Sequence, residues 1–145
     1  MSTKELQEKI VENMKRWQKI ESASVASTGN IIEATDNPLV RLVMEIIQRD
    51  SQFHYRVQEF IADSLTTKTV TLSPDELGKI WDMIDKHIKL EEKTVALAHE
   101  ALAALKGRKM LVQEYLLNYL LEDENKHNKI LADLEKIKAD SYPYA

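Results

Sequence analysis

Cysteine is absent from this chain, and glycine and proline occur only three times each in 145 residues. Without cysteine there are no disulfides, zinc ribbons, iron–sulfur clusters or thiol chemistry. No apolar run approaches the ~18 residues of a membrane span, and no apolar leader opens the chain. The expectation is therefore a cytoplasmic protein with no membrane partner. The net charge is -4 with basic residues scattered along the sequence. That leaves no footprint for nucleic acid.

What is present points to helices. Charged residues make up 30% of the chain, set in long amphipathic runs with few breakers, which reads as all-α. The length suits one domain, residues 1–145, large enough to bury a core.

Punctuation divides the chain into four helices. The first is expected over 3–35, opened by a Ser2/Glu5 capping box, with Leu6, Ile10, Met14, Trp17, Val25 and Ile31 on its apolar stripe. Asn37 and Pro38 are N-cap and first residue of a second helix over 38–64. Its stripe is Val43, Ile47, Val57 and Ile61. Thr66 to Leu72 reads as an extended connection. Ser73, Pro74, Asp75 and Glu76 then start a third helix over 74–105, stopped by Lys106-Gly107. A fourth spans 109–139, and Ser141 to Ala145 reads as a frayed tail. Such helices are about 40 to 50 Å long.

Each helix carries ionisable residues on its apolar stripe near its middle. They are Glu21 on the first, His54 on the second, Glu91 with His87 one turn earlier on the third, and Glu124 with His127 on the fourth. Glu124 and His127, at i,i+3, share a helix face that is otherwise leucine. Ionised carboxylates on an apolar stripe are costly unless paired or bound to a metal. Counting outward from the turns, about 15 to 17 residues each way, puts all four positions at one height in two antiparallel hairpins. Three or four buried negative charges would repel and take up protons, or be neutralised by one or two divalent cations. Histidine and carboxylate ligands suit iron, manganese or zinc.

The pattern resembles the ferritin-like superfamily, and within it the small rubrerythrin- and bacterioferritin-type bundles. Glu21-Ser22 resembles the first-helix ligand of rubrerythrins, Leu90-Glu91 the third-helix ligand of bacterioferritins, and Leu121 to His127 the fourth-helix motif. The resemblance implies an all-α, ferritin-like four-helix bundle of two antiparallel helical hairpins. It also implies a di-metal centre acting on O₂ or peroxide, a homodimer, and Glu21, His54, Glu91, Glu124 and His127 as ligands. The chain departs from the pattern on the second helix, where the family glutamate falls at Ser51. Asp50, i,i+4 to His54, and His87, i,i+4 to Glu91, are the residues available to compensate. The substitution keeps a second reading open, a non-enzymatic structural or interaction bundle that has lost its metal. With no cysteine for a rubredoxin-type module, any reductant would be a partner. The bundle length alone also leaves a full crossover between the second and third helices in tension. Residues 65 to 73 reach at most ~30 Å, so either the link is a simpler up-down turn or the second helix ends early; the resemblance implies the crossover, and with it fraying near Phe60 to Ala62.

Overall fold

The computed structural model describes residues 1–67, 70 and 74–141. It is all-helical, with α1 over Thr3–Ala34, α2 over Pro38–Thr66, α3 over Pro74–Leu105 and α4 over Leu111–Ser141. The helices pack in two pairs, α1 with α2 and α3 with α4. The chain divides into two compact units accordingly, Met1–Val70 and Thr71–Ala145. Among the described residues, no helix is long and apolar enough to cross a membrane.

The local signals act where the sequence places them. Ser2 Oγ accepts from the Glu5 amide at 3.1 Å and Glu5 Oε2 accepts from the Ser2 amide at 3.0 Å. Two otherwise orphaned donors are thereby satisfied at the start of α1. Asn37 Oδ1 accepts from the Leu39 and Val40 amides, with Pro38 in the first turn of α2. Arg41 then reaches back, and its guanidinium donates to the carbonyls of Ile32 and Thr35 at 2.7 and 3.0 Å. One side chain of α2 thus closes the carbonyl end of α1. Gly107 has φ 80°, the left-handed conformation that ends α3 without a side-chain clash. The expected N-cap at Ser73 and the tail beyond Ser141 lie outside the described residues, as do most of the residues linking α2 to α3.

The second helix does not fray early. It runs on to Thr66, four to six residues beyond the expected end. Hydroxyls in its last turn satisfy the final carbonyls of the helix. Ser64 Oγ donates to Ile61 O at 2.7 Å, and Thr66 Oγ1 to Ala62 O at 2.9 Å. The Thr67 amide donates to Asp63 O at 2.9 Å. Back-bonding of this kind competes with the turn expected from β-branched residues.

In the first pair the residues removed from water are Met14, Glu21 and Thr28 on α1 and Ser51, Gln58 and Ala62 on α2. The α1 positions recur every seven residues, the spacing of a helix–helix seam. Cross-helix bonds run in opposite order along the two helices: Arg41 to Ile32, Gln48 to Val25, Ser51 to Ser24, Gln58 to Glu21. Val57 and Ile61, expected on the core stripe of α2, are 44% and 37% exposed, Ile47 is also exposed, and Trp17 is 49% exposed. Apolar periodicity marks a face wide enough for several neighbours. A single partner helix covers only the seam, and here the seam is mostly polar.

In the second pair the α3 seam follows the same period. Leu77 and Ala98 are buried, and Ile84 and Glu91 between them are half-buried. Glu91 therefore stands on the line of residues that packs against α4.

Candidate metal centre

Glu91 of α3 meets Glu124 and His127 of α4. One ligand atom from each of the three lies within 4.8 Å of the other two. His127 Nδ1 is 3.5 Å from Glu91 Oε2 and 3.7 Å from Glu124 Oε2. The i,i+3 spacing puts Glu124 and His127 on one face of α4, and the α3 seam brings Glu91 to that face.

Neighbours engage Glu91 Oε1, His127 Nε2 and Glu124 Oε2. His87, one turn before Glu91, places Nε2 at 2.9 Å from Glu91 Oε1. Asp123 Oδ2 is 3.4 Å from His127 Nε2. A carboxylate on the far nitrogen orients an imidazole and keeps its other nitrogen free to act as a ligand. Thr94 Oγ1 lies 2.9 Å from Glu124 Oε2 and 2.7 Å from the Glu91 carbonyl. An apolar groove of about 320 Å³ runs up to this place, bounded by Leu97, Ala98, Leu117 and Leu120 besides Thr94 and Glu124.

The electrostatics are those of two carboxyl groups competing for one charge. The hydrogen bond to Glu124 is the main influence holding Glu91 below the usual carboxylate range, assisted by His87 and His127 and opposed by burial. The same bond, reinforced by burial, pushes Glu124 above it, with Thr94 and His127 acting the other way. Two like charges this close favour a shared proton when no cation is present. Glu91 Oε2 is buried and faces His127 Nδ1 at 3.5 Å, with no fixed N–H or O–H donor directed at it. A carboxylate oxygen facing an imidazole nitrogen and a second carboxylate, with no donor of its own, fits a divalent cation.

The first pair holds a simpler arrangement. Glu21 is 7% exposed. Its Oε1 accepts from Gln58 Nε2 at 3.3 Å and lies 3.5 Å from His54 Nδ1. Ser51 is buried, with its hydroxyl 2.8 Å from Ser24 Oγ. Gln48, whose amide donates to the Val25 carbonyl at 3.2 Å, packs close to Gly29. Asp50 is exposed and joins neither Glu21 nor His54 among the described hydrogen bonds and ion pairs. Its offset of about 100° around the helix from Ser51 points it away from the seam.

Of the seven residues singled out from sequence, the structure thus joins Glu91, Glu124 and His127 in one group, attaches His87 to Glu91, pairs Glu21 with His54, and leaves Asp50 outside. Gln58, Thr94 and Asp123 were not singled out. Asp123 had a legible signal, since it is i,i+4 to His127, but it also fits an ordinary charged face. Gln58 and Thr94 act across helices, and no spacing within one helix reveals them. No family model, curated protein or solved structure matches the chain.

Proposed function

We propose that this protein is a metal-binding protein of the ferritin and rubrerythrin kind, built on antiparallel helical hairpins, with Glu91, Glu124 and His127 as ligands to a divalent transition metal. The single observation that carries this reading is the buried Glu91 Oε2, with no fixed hydrogen-bond donor, set beside His127 Nδ1 and the Glu124 carboxyl. Three side-chain ligands with an open approach suit a reactive metal better than a closed structural one. Such a metal, when bound, supplies electron exchange with O₂ or peroxide if it is iron or manganese.

The chain's own part in that chemistry is positional and electrostatic. Glu91 and Glu124 supply the negative charge that a cation neutralises. Asp123 holds His127 by its Nε2, and His87 occupies the outer oxygen of Glu91. Glu21 and His54 are proposed as a weaker ligand pair within their own unit, since only two such ligands meet there. The homodimer implied by the family resemblance is a proposal of the same standing.

A second reading has its own observation. The Ser24–Ser51 hydrogen bond replaces a family carboxylate with a neutral contact that needs no metal. It favours a structural bundle whose centre has degenerated.

Elemental analysis of protein purified without chelator, joined to thermal unfolding with added Fe(II), Mn(II) or Zn(II), separates the two. A ligand at about 100 times its Kd stabilises the folded state by about 2.7 kcal/mol. For a chain of this size that raises Tm by roughly 5 to 10 °C. Metal-free protein with an unmoved transition selects the structural reading. Peroxide or O₂ consumption by the iron-loaded protein then tests the redox proposal.

A further inference from the structure

Thr94 carries one hydroxyl proton and stands between two acceptors, the Glu91 carbonyl at 2.7 Å and Glu124 Oε2 at 2.9 Å. The first contact is ordinary. Threonine in a helix commonly bonds a carbonyl three or four residues back. The second is not local, because it crosses from α3 to α4 over 30 residues of sequence. It also falls on Glu124 Oε2, the oxygen 3.7 Å from His127 Nδ1.

We propose that Thr94 is a positioning residue for the centre: its hydroxyl holds the Glu124 carboxyl against the turn of α3 that carries Glu91, so that ligands from the two helices meet. The inference rests on the metal-binding reading above. A glutamate side chain has three rotatable bonds, and only a fraction of its rotamers reach Glu91 and His127. With its one proton turned to Glu124 Oε2 rather than to the Glu91 carbonyl, a hydroxyl carried by the short Thr94 side chain selects among them and removes that ordering cost from the binding step. The oxygen has two lone pairs, so accepting from Thr94 leaves one for a cation.

The experiment is a Co(II) titration of the full chain, read by the visible absorption of the bound ion, on the wild type, T94V, T94S, E124A and T94V/E124A. T94V keeps the shape and helix propensity of threonine and deletes the hydroxyl. It is expected to raise Kd about 10- to 100-fold, the usual cost of losing an outer partner of a ligand, and to shift the absorption bands. T94S is expected to restore both the affinity and the spectrum. In the E124A background T94V should change nothing further, because the hydroxyl acts through Glu124. Wild-type affinity and spectrum in T94V overturn the proposal. So does a T94S protein as weak as T94V, which would assign the effect to the methyl group. Circular dichroism checks folding, and T94A takes the place of T94V if T94V does not fold. A wild type that binds no Co(II) brings down the metal-binding reading and this one with it, whereas a binding wild type with an indifferent T94V brings down this one alone.

Discussion

Glu21 in the first helix pair and Glu91 in the second sit at comparable places, each mid-helix and on the seam with its partner helix. Their surroundings differ. Around Glu21 the seam is neutral, with the Gln58 amide, the Ser24–Ser51 hydroxyls and the edge of a half-exposed imidazole. Around Glu91 there is a second carboxyl group, two imidazoles and a buried oxygen with no fixed donor. A lone buried carboxylate can be satisfied by neutral donors. Two together leave excess negative charge that only a proton or a cation removes. The contrast turns on Ser51, which takes the second carboxylate out of the first pair.

The sharpest way to break this comparison is to delete each glutamate in turn. Glu91→Ala is expected to abolish the metal-induced rise in Tm, and Glu21→Ala to leave most of it. Equal losses in the two variants would mean that the first pair matters to metal binding as much as the second.

Ser51→Glu should make the first pair resemble the second. Position 51 is buried on the α2 seam, so the new carboxylate would enter beside Glu21. Without metal the variant should lose roughly 1 to 3 kcal/mol, the cost of burying a poorly satisfied polar group. With metal it should gain a larger Tm increase than the wild type and bind more ions per chain. Unchanged apo stability and unchanged stoichiometry would remove Ser51 as the cause of the difference.

The carboxyl pair also makes a pH prediction for metal-free protein. Glu91, lowered in the folded state, adds stability that is lost as pH falls through its folded pKa. Glu124, raised in the folded state, adds stability present below the ordinary carboxylate value and lost as pH rises through its folded pKa. The pair therefore favours folding most near the ordinary carboxylate range and progressively less toward neutrality. Glu124→Gln should flatten that neutral-side decline in a series of thermal melts. A decline as steep in the variant as in the wild type would locate the effect elsewhere.

The smallest effects concern neighbours on α4. Asp123→Asn should weaken metal binding about tenfold, since the neutral amide orients His127 less well. Glu122→Ala should leave affinity unchanged, because Glu122 is exposed and about half a turn from the ligand face. Comparable losses at 122 and 124 would place the wrong face of α4 on the seam.

Much of this molecule could be read along single helices. The caps at Ser2 and Asn37 and the stop at Gly107 are local, and each formed where the side-chain chemistry required it. Glu124 with His127, and His87 with Glu91, are likewise fixed by the helical repeat once a helix exists. The end of α2 departs from an expectation that rested on the reach of the link to α3, and local chemistry explains the extra turn. Threonine hydroxyls can close a last turn as readily as a β-branched run can open a strand, and composition does not choose between them.

Alone, the sequence determined four long helices, the caps at Ser2 and Asn37 and the stop at Gly107, and which ionisable residues share a turn, because these follow from backbone geometry and near neighbours. Tertiary packing decided the rest. It buried Ser51 and Gln58 while leaving Val57 and Ile61 exposed, since a partner helix covers one narrow seam rather than a whole apolar face. It also set Glu91 against Glu124, and Thr94 between them, across 30 or more residues of chain. Helical periodicity constrains what lies within a few turns of a residue. Which face of one helix meets which face of another depends on packing summed over both, and no short stretch of sequence contains that sum.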